Sequence, residues 1–152
     1  MNLDRLIRLH SKRPPDFVIG GAENPYLLRW HIVPREKDTI KVYLHNQLRD
    51  DDDRAMHDHP SDNVSMIIKG GYRELTPMGE YLRGPGDIIT RRGPELHRLV
   101  LHRRGDRPVP SWSLFIMGAT YREWGFQCGD RWVHWKEFCD PGNTGLAGRG
   151  CD

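Results

Sequence analysis

Apolar positions in this 152-residue chain change their period once, close to the start. Leu3, Leu6, Ile7 and His10 recur at three-and-four spacing, so residues 2–11 read as a short amphipathic helix. Pro14-Pro15 cannot continue it. From Pro25 the pattern is extended. Residues 25–34, 40–45, 64–68, 72–75, 81–83, 87–91, 95–102, 111–117 and 123–128 read as short strands, each bounded by glycine, proline or charged turns. Residues 131–138 close a hairpin with 123–128 around Gly129-Asp130. Turn signals recur about every 8–12 residues, which is the pattern of an all-β sandwich or barrel. Because glycine turns frame the histidine-bearing strands, a jelly-roll barrel with a short N-terminal helix is the expected architecture. One domain over 1–140 is expected, followed by a flexible glycine-rich tail at 141–152 that holds almost no apolar residues.

Within this pattern lies His57-Asp58-His59. Residues two apart on an extended segment point to the same side, so both imidazoles can reach one metal ion. His97 follows Gly86 by eleven residues, enough for a turn, a strand, a second turn and the start of another strand. The run 49–54, Arg-Asp-Asp-Asp-Asp-Arg, reads as a solvated loop, because like charges avoid burial; its functional reading is a polar rim beside the histidines.

Composition narrows the class. The 23 basic and 21 acidic residues are interspersed and leave a net charge of only +2, which argues against nucleic acid or an anionic membrane as the main partner. No apolar run approaches the roughly 20 residues of a membrane helix. Cys128, Cys139 and Cys151 share no short paired spacing, so neither a disulfide framework nor a cysteine zinc site is indicated. Reduced thiols in a cytoplasmic protein are the simpler expectation.

His57-x-His59, three residues, Asn63, six residues, Gly70 resembles the first cupin motif, in which two histidines and usually a glutamate precede a glycine. Gly86-Asp87 through Pro94 to His97 resembles the second, which delivers the third histidine. The whole chain is also similar to small cupin-like proteins of bacteria and their phages. The shared stretches are Tyr26-Leu27-Leu28-Arg29-Trp30, residues 51–60 and Trp124-Gly125-Phe126. The resemblance implies a jelly-roll barrel and a homodimer. It also implies one divalent transition metal (iron, zinc, nickel or manganese) held by His57, His59 and His97.

The departure from the motif is at its glutamate. Asn63 shares the parity of His57 and His59, whereas Asp62 needs a bulge near Pro60 to turn inward. Asn63 is therefore the better fourth corner, as a weak ligand or hydrogen-bonding group. Glu95 shares parity with His97 and is the expected acid or base, with water acidified at the metal as the other option. Arg29, Arg54, Arg91, Arg92 and Arg98 recur on or near the expected strands and can clamp a carboxylate or phosphate through the planar guanidinium, with Arg29, Arg54 and Arg92 the chosen candidates, and Tyr43 and Trp124 can line the mouth. The expected function is metal-dependent chemistry on a small polar molecule, of dioxygenase, isomerase or hydrolase type. The alternatives are a cupin that binds a small ligand without turnover and a metal-free structural or interaction protein.

Overall fold

A computed structural model describes residues 3–33, 39–52 and 54–152. Asn2 of the expected helix, Pro34 of the first expected strand and Asp53 of the acidic run lie outside the described residues. The helix forms as α1 (Leu3–His10), with Leu3, Leu6, Ile7 and His10 half-buried on one face as the period requires. Strands follow in the order β1 (Phe17–Ile19), β2 (Leu27–His31), β3 (Lys41–Gln47), β4 (Met56–His57), β5 (Asn63–Lys69), β6 (Tyr72–Thr76), β7 (Gly79–Arg83) and β8 (Ile88–Arg91). They continue with β9 (Arg98–Leu101), β10 (Arg103–Arg104), β11 (Arg107–Pro108), β12 (Ser111–Met117), β13 (Gly125–Cys128) and β14 (Arg131–His134). After the helical turn α2 (Trp135–Phe138) come β15 (Cys139–Asp140) and β16 (Asn143–Ala147).

The large sheet has the order β1-β2-β3-β12-β5-β8, and every pairing in it is antiparallel. Two three-stranded sheets, β7-β6-β9 and β14-β13-β4, complete the barrel. Among the described residues they join at a single bridge, where the His57 amide donates to the His97 carbonyl (2.9 Å) and the His97 amide donates to the His57 carbonyl (3.0 Å). The all-β jelly roll with one short N-terminal helix is thus the observed architecture.

Alternation decides what faces inward. On β5, Asn63, Ser65 and Ile67 are buried while their neighbours are less so; on β6, Tyr72 and Glu74 are buried; on β8, Ile89 and Arg91 are buried. Ile67, Tyr72, Ile89 and Leu101 pack together and fill one end of the barrel. A second apolar cluster, Ala55, Phe126, Val133, Phe138 and Cys139, backs β13, with the rings of Phe126 and Phe138 stacked at 3.7 Å. Between the two clusters the barrel is open, and a cavity of about 820 Å³ occupies it.

Four expectations need correction. Residues 95–97 form no strand, since the Glu95 amide closes a turn onto the Arg92 carbonyl and β9 begins only at Arg98. The last hairpin strand stops at His134, and 135–138 turn helical. The glycine-rich tail is built into the fold. β16 pairs with β15, Arg49 Nη2 donates to the Gly145 carbonyl (2.9 Å), and the Gly150 amide donates to the Phe138 carbonyl (3.0 Å). Finally, Cys128 and Cys151 are joined by a disulfide, leaving Cys139 as the free, buried thiol. The argument from reduced thiols to a cytoplasmic location falls with that bond.

Candidate metal centre

His57 ends β4, His59 lies two residues on, and His97 precedes β9, so the backbone bridge that joins the two small sheets also brings two of the imidazoles together. The three ring centroids form a triangle with sides of 4.6, 5.0 and 5.2 Å. One nitrogen from each ring lies within 4.8 Å of the others, a separation that a single ion can span. Asp58 shows why the pair points inward. It takes the opposite face, where its buried carboxylate accepts from the Gly125 amide (2.7 Å), Trp132 Nε1 (3.0 Å) and Arg122 Nη2 (2.8 Å).

Burial, followed by the charges of His57 and Arg91, holds the His97 imidazole well below its usual pKa. Burial also lowers His57, against the opposing pull of Asp51, and lowers His59 strongly, with His97 and His57 adding to the effect. All three rings are therefore neutral at pH 7, the state a metal requires.

The surrounding carboxylates orient the rings. Glu74, 2% exposed, accepts from Arg91 Nε (2.7 Å) and Nη2 through one oxygen and from Arg83 Nε (2.8 Å) through the other. His97 Nδ1 sits 3.1 Å from the first of these oxygens. A carboxylate held by two guanidiniums can only accept, so the His97 proton lies on Nδ1 and the Nε2 lone pair is left bare. That Nε2 is buried and has no hydrogen-bond partner, and neither has His59 Nδ1. Asp51 Oδ2 stands 3.6 Å from His57 Nδ1, and the same carboxylate accepts from Tyr26, Gln47 and the Leu99 amide. Two buried, orphaned imidazole nitrogens beside a third ring suit a borderline divalent transition ion.

The other expected residues divide. Asn63 is buried on β5 with Oδ1 unpartnered, in the parity of the cavity-lining Ser65, but it borders a second, smaller cavity and is not among the residues that line the one with the three histidines. Asp62 turns outward and accepts from Tyr121 Oη (2.7 Å) and the Gly93 amide (2.8 Å), so no bulge brings it in. Glu95 is exposed, accepts from the Arg92 amide (2.9 Å) and lines the smaller cavity together with Arg92. Neither lines the cavity of the three histidines: the parity argument fails for Glu95 because 92–95 are a turn. Arg29, Tyr43, Arg54 and Trp124 do line that cavity. Arg54 there binds Asp52 and covers the Phe138 ring, and Trp124 stacks on Trp135 at 5.8 Å.

Arg91 is among the expected inward arginines, but it pairs with Glu74; Glu74 and Asp51 themselves were not singled out from the sequence. The readable signal for Glu74 is its alternation with Tyr72. For Asp51 the polar-rim reading of the acidic run was the one signal, and nothing in four consecutive aspartates marks which of them turns inward.

No family profile matches the sequence, and no curated protein matches it. Solved structures do. A sugar phosphate isomerase from a cupin superfamily of Silicibacter pomeroyi superposes with a TM-score of 0.52 at 17% identity, covering 78% of this chain and 73% of that one. A Klebsiella pneumoniae protein with a double-stranded β-helix domain gives 0.51 at 14% identity, covering 72% and 90%. A DMSP lyase from Ruegeria pomeroyi gives 0.51 at 17% identity, covering 67% and 52%. At these identities the likeness speaks for fold alone, and it agrees with the sheets described above: this chain has the cupin fold, a double-stranded β-helix.

Proposed function

We propose that the protein is a metal-dependent enzyme that works on a small polar molecule held inside the barrel. The observation that carries this reading is the convergence of three neutral imidazoles, His97 buried and His57 and His59 half-buried, on one point beside a cavity of about 820 Å³. His57, His59 and His97 are the ligands, with Asn63 as the weak fourth group. A divalent iron, zinc, nickel or manganese ion bound there supplies a Lewis acid that polarises an oxygen of the ligand, and iron adds dioxygen chemistry.

The protein's own contribution is the wall around that point. β3 turns Lys41, Tyr43, His45 and Gln47 into the cavity, β12 adds Ser111 and Ser113, and β2 adds Arg29. The wall is mixed, since Leu27, Phe115, Trp124 and Phe126 also line it, so the polar groups orient a polar molecule while the apolar ones pack against its carbon frame. Isomerase, lyase, hydrolase and oxygenase chemistry are all compatible with it; two of the similar structures carry the names of an isomerase and a lyase. A homodimer belongs to the same proposal.

A second reading, a binding protein without turnover, draws on the position of Glu95, which leaves the cavity without the expected acid or base. Metal analysis of the purified chain, with reconstitution by each of the four ions, decides first. One equivalent bound by the wild type and none by the triple variant His57→Ala, His59→Ala, His97→Ala is expected. Failure of every ion to bind stoichiometrically sinks both metal readings. Turnover of a panel of small hydroxy and keto acids then separates enzyme from binder.

A further inference from the structure

His45 lies in the middle of the inward row of β3, away from the metal triangle, and is 7% exposed. Both faces of its ring are covered. Tyr43 stacks at 5.6 Å with 9° between planes, and Phe115 stacks at 5.0 Å with 20°. The ring edge is fixed too, because Arg29 Nε–H donates to His45 Nε2 at 2.9 Å while the Arg29 guanidinium lies 4.5 Å over the Tyr43 ring.

That hydrogen bond has only one possible polarity. A guanidinium has no acceptor and keeps its protons, so Nε2 must offer a lone pair. The imidazole is then neutral and its one proton is on Nδ1. Burial first, then the charges of Arg29 and His59, lower the His45 pKa well below its usual value, which agrees with the geometry. Among the described residues nothing accepts from Nδ1, while His45 lines the cavity that also holds the metal histidines. The order across the cavity wall is His45, Phe115 at 5.0 Å, and His59 at 6.2 Å from Phe115.

From this geometry we propose that His45 is a substrate-facing hydrogen-bond donor: a neutral imidazole, held in its Nδ1–H tautomer by Arg29, that binds an oxyanion of the ligand one ring's width from the metal centre. Arg29 is the positioning residue. The ligand class follows, since a molecule served by both sites carries two oxygen functions, one for the metal and one, a carboxylate or phosphate, for His45. A fixed neutral donor suits this task because it needs no proton uptake and no reorientation when charge arrives. The two-oxygen ligand rests on the metal-dependent reading; the donor role of His45 does not.

The test uses the full chain, metal-free and labelled with nitrogen-15, with His45 assigned by comparison with His45→Asn. Long-range proton–nitrogen spectra at pH 7 are expected to show Nδ1 protonated and Nε2 bare in the wild type, and to show the opposite tautomer gaining ground in Arg29→Gln. Sodium acetate and inorganic phosphate, titrated separately, distinguish a carboxylate from a phosphate. At least one is expected to shift the Nδ1 signal saturably. His45→Leu weakens that binding at least tenfold, and His45→Asn, whose amide nitrogen takes the place of Nδ1, restores most of it.

An Nε2–H tautomer in the wild type overturns the proposal. So does a Nδ1 signal that neither anion moves, or equal binding by wild type and His45→Leu. Because the protein is metal-free, a failed metal reading leaves these results standing, whereas a chain that binds metal but shows an unmoved His45 sinks this inference alone.

Discussion

At the scale of single residues, the centre depends on a carboxylate that is not a ligand. Glu74 balances two guanidiniums and orients His97 from a position with almost no water around it. Glu74→Gln keeps the shape and removes the charge, so Arg91 and Arg83 lose their counter-ion and His97 loses its strong acceptor. Breaking one side of a buried ion pair costs about 3–5 kcal/mol, and loss of the group behind a metal-bound histidine costs about 10–100-fold in metal affinity. Urea unfolding of the metal-free variant and a zinc titration read the two effects separately; Glu74→Gln with wild-type zinc affinity would show that His97 is oriented by packing alone.

Glu74 also shows where sequence reading stopped. His57 and His59 were legible because a two-residue repeat has one outcome on an extended chain. Asp62 and Asn63 were distinguishable for the same reason. Glu74, in Tyr-Arg-Glu-Leu, has the alternation of any surface strand until the barrel closes over it. His45 needed a partner sixteen residues away in the chain and adjacent only in the sheet, where Arg29 pairs with it across β2 and β3.

At the scale of elements, the tail carries the same lesson with the opposite sign. Four glycines in twelve residues read as flexibility, yet they mark close packing. A Cβ at Gly145 would lie 2.0 Å from the Gly20 amide nitrogen, and one at Gly148 would lie 2.4 Å from the Cys139 carbonyl carbon. Glycine is there because no side chain fits. Gly145 and Leu146 of β16 consequently become part of the cavity wall. The Cys128–Cys151 bond fastens the far end of this strap to β13, helped by Arg131 Nη2 on the Cys151 carbonyl (2.8 Å).

Removing a link that closes a 23-residue separation is expected to cost about 3 kcal/mol through the unfolded chain. Cys128→Ser and Cys151→Ser should lose the same amount, and wild type in reductant should match both. Limited proteolysis locates the loss. Cleavage within 141–150 that accelerates in the variants, with β5 left intact, identifies the strap as the part that opens; a wild type indifferent to reductant would mean that the strap is held by its hydrogen bonds.

At the scale of the whole molecule, the fold was legible because turns and alternation are local, but the way the second sheet is assembled was not. Among the described residues it consists of two three-stranded pieces joined by one backbone bridge, the two hydrogen bonds between His57 and His97. Asp51 reinforces the seam, its amide donating to the Leu99 carbonyl (2.9 Å) and its carboxylate accepting from the Leu99 amide (2.7 Å). The acidic run expected in solvent thus acts as an edge clamp for β9. Two of the three proposed metal ligands, His57 and His97, are the residues of the seam itself, so an ion bound as proposed would tie the two pieces together.

Ligand at about a hundred times its dissociation constant stabilises the folded state by about 2.7 kcal/mol, enough to slow exchange through the opening it blocks by about a hundredfold. Zinc is therefore expected to slow hydrogen exchange at the His57 and His97 amides more than at Ile67, whose amide donates to the Asp87 carbonyl (3.0 Å) within the large sheet and its flanking turn. His59→Ala leaves both seam hydrogen bonds in place and removes one ligand, so it should abolish the extra slowing while keeping the metal-free exchange rates. If zinc slows the seam and Ile67 by the same factor, the pieces open only with the whole barrel, and the seam is no weaker than the sheet it faces.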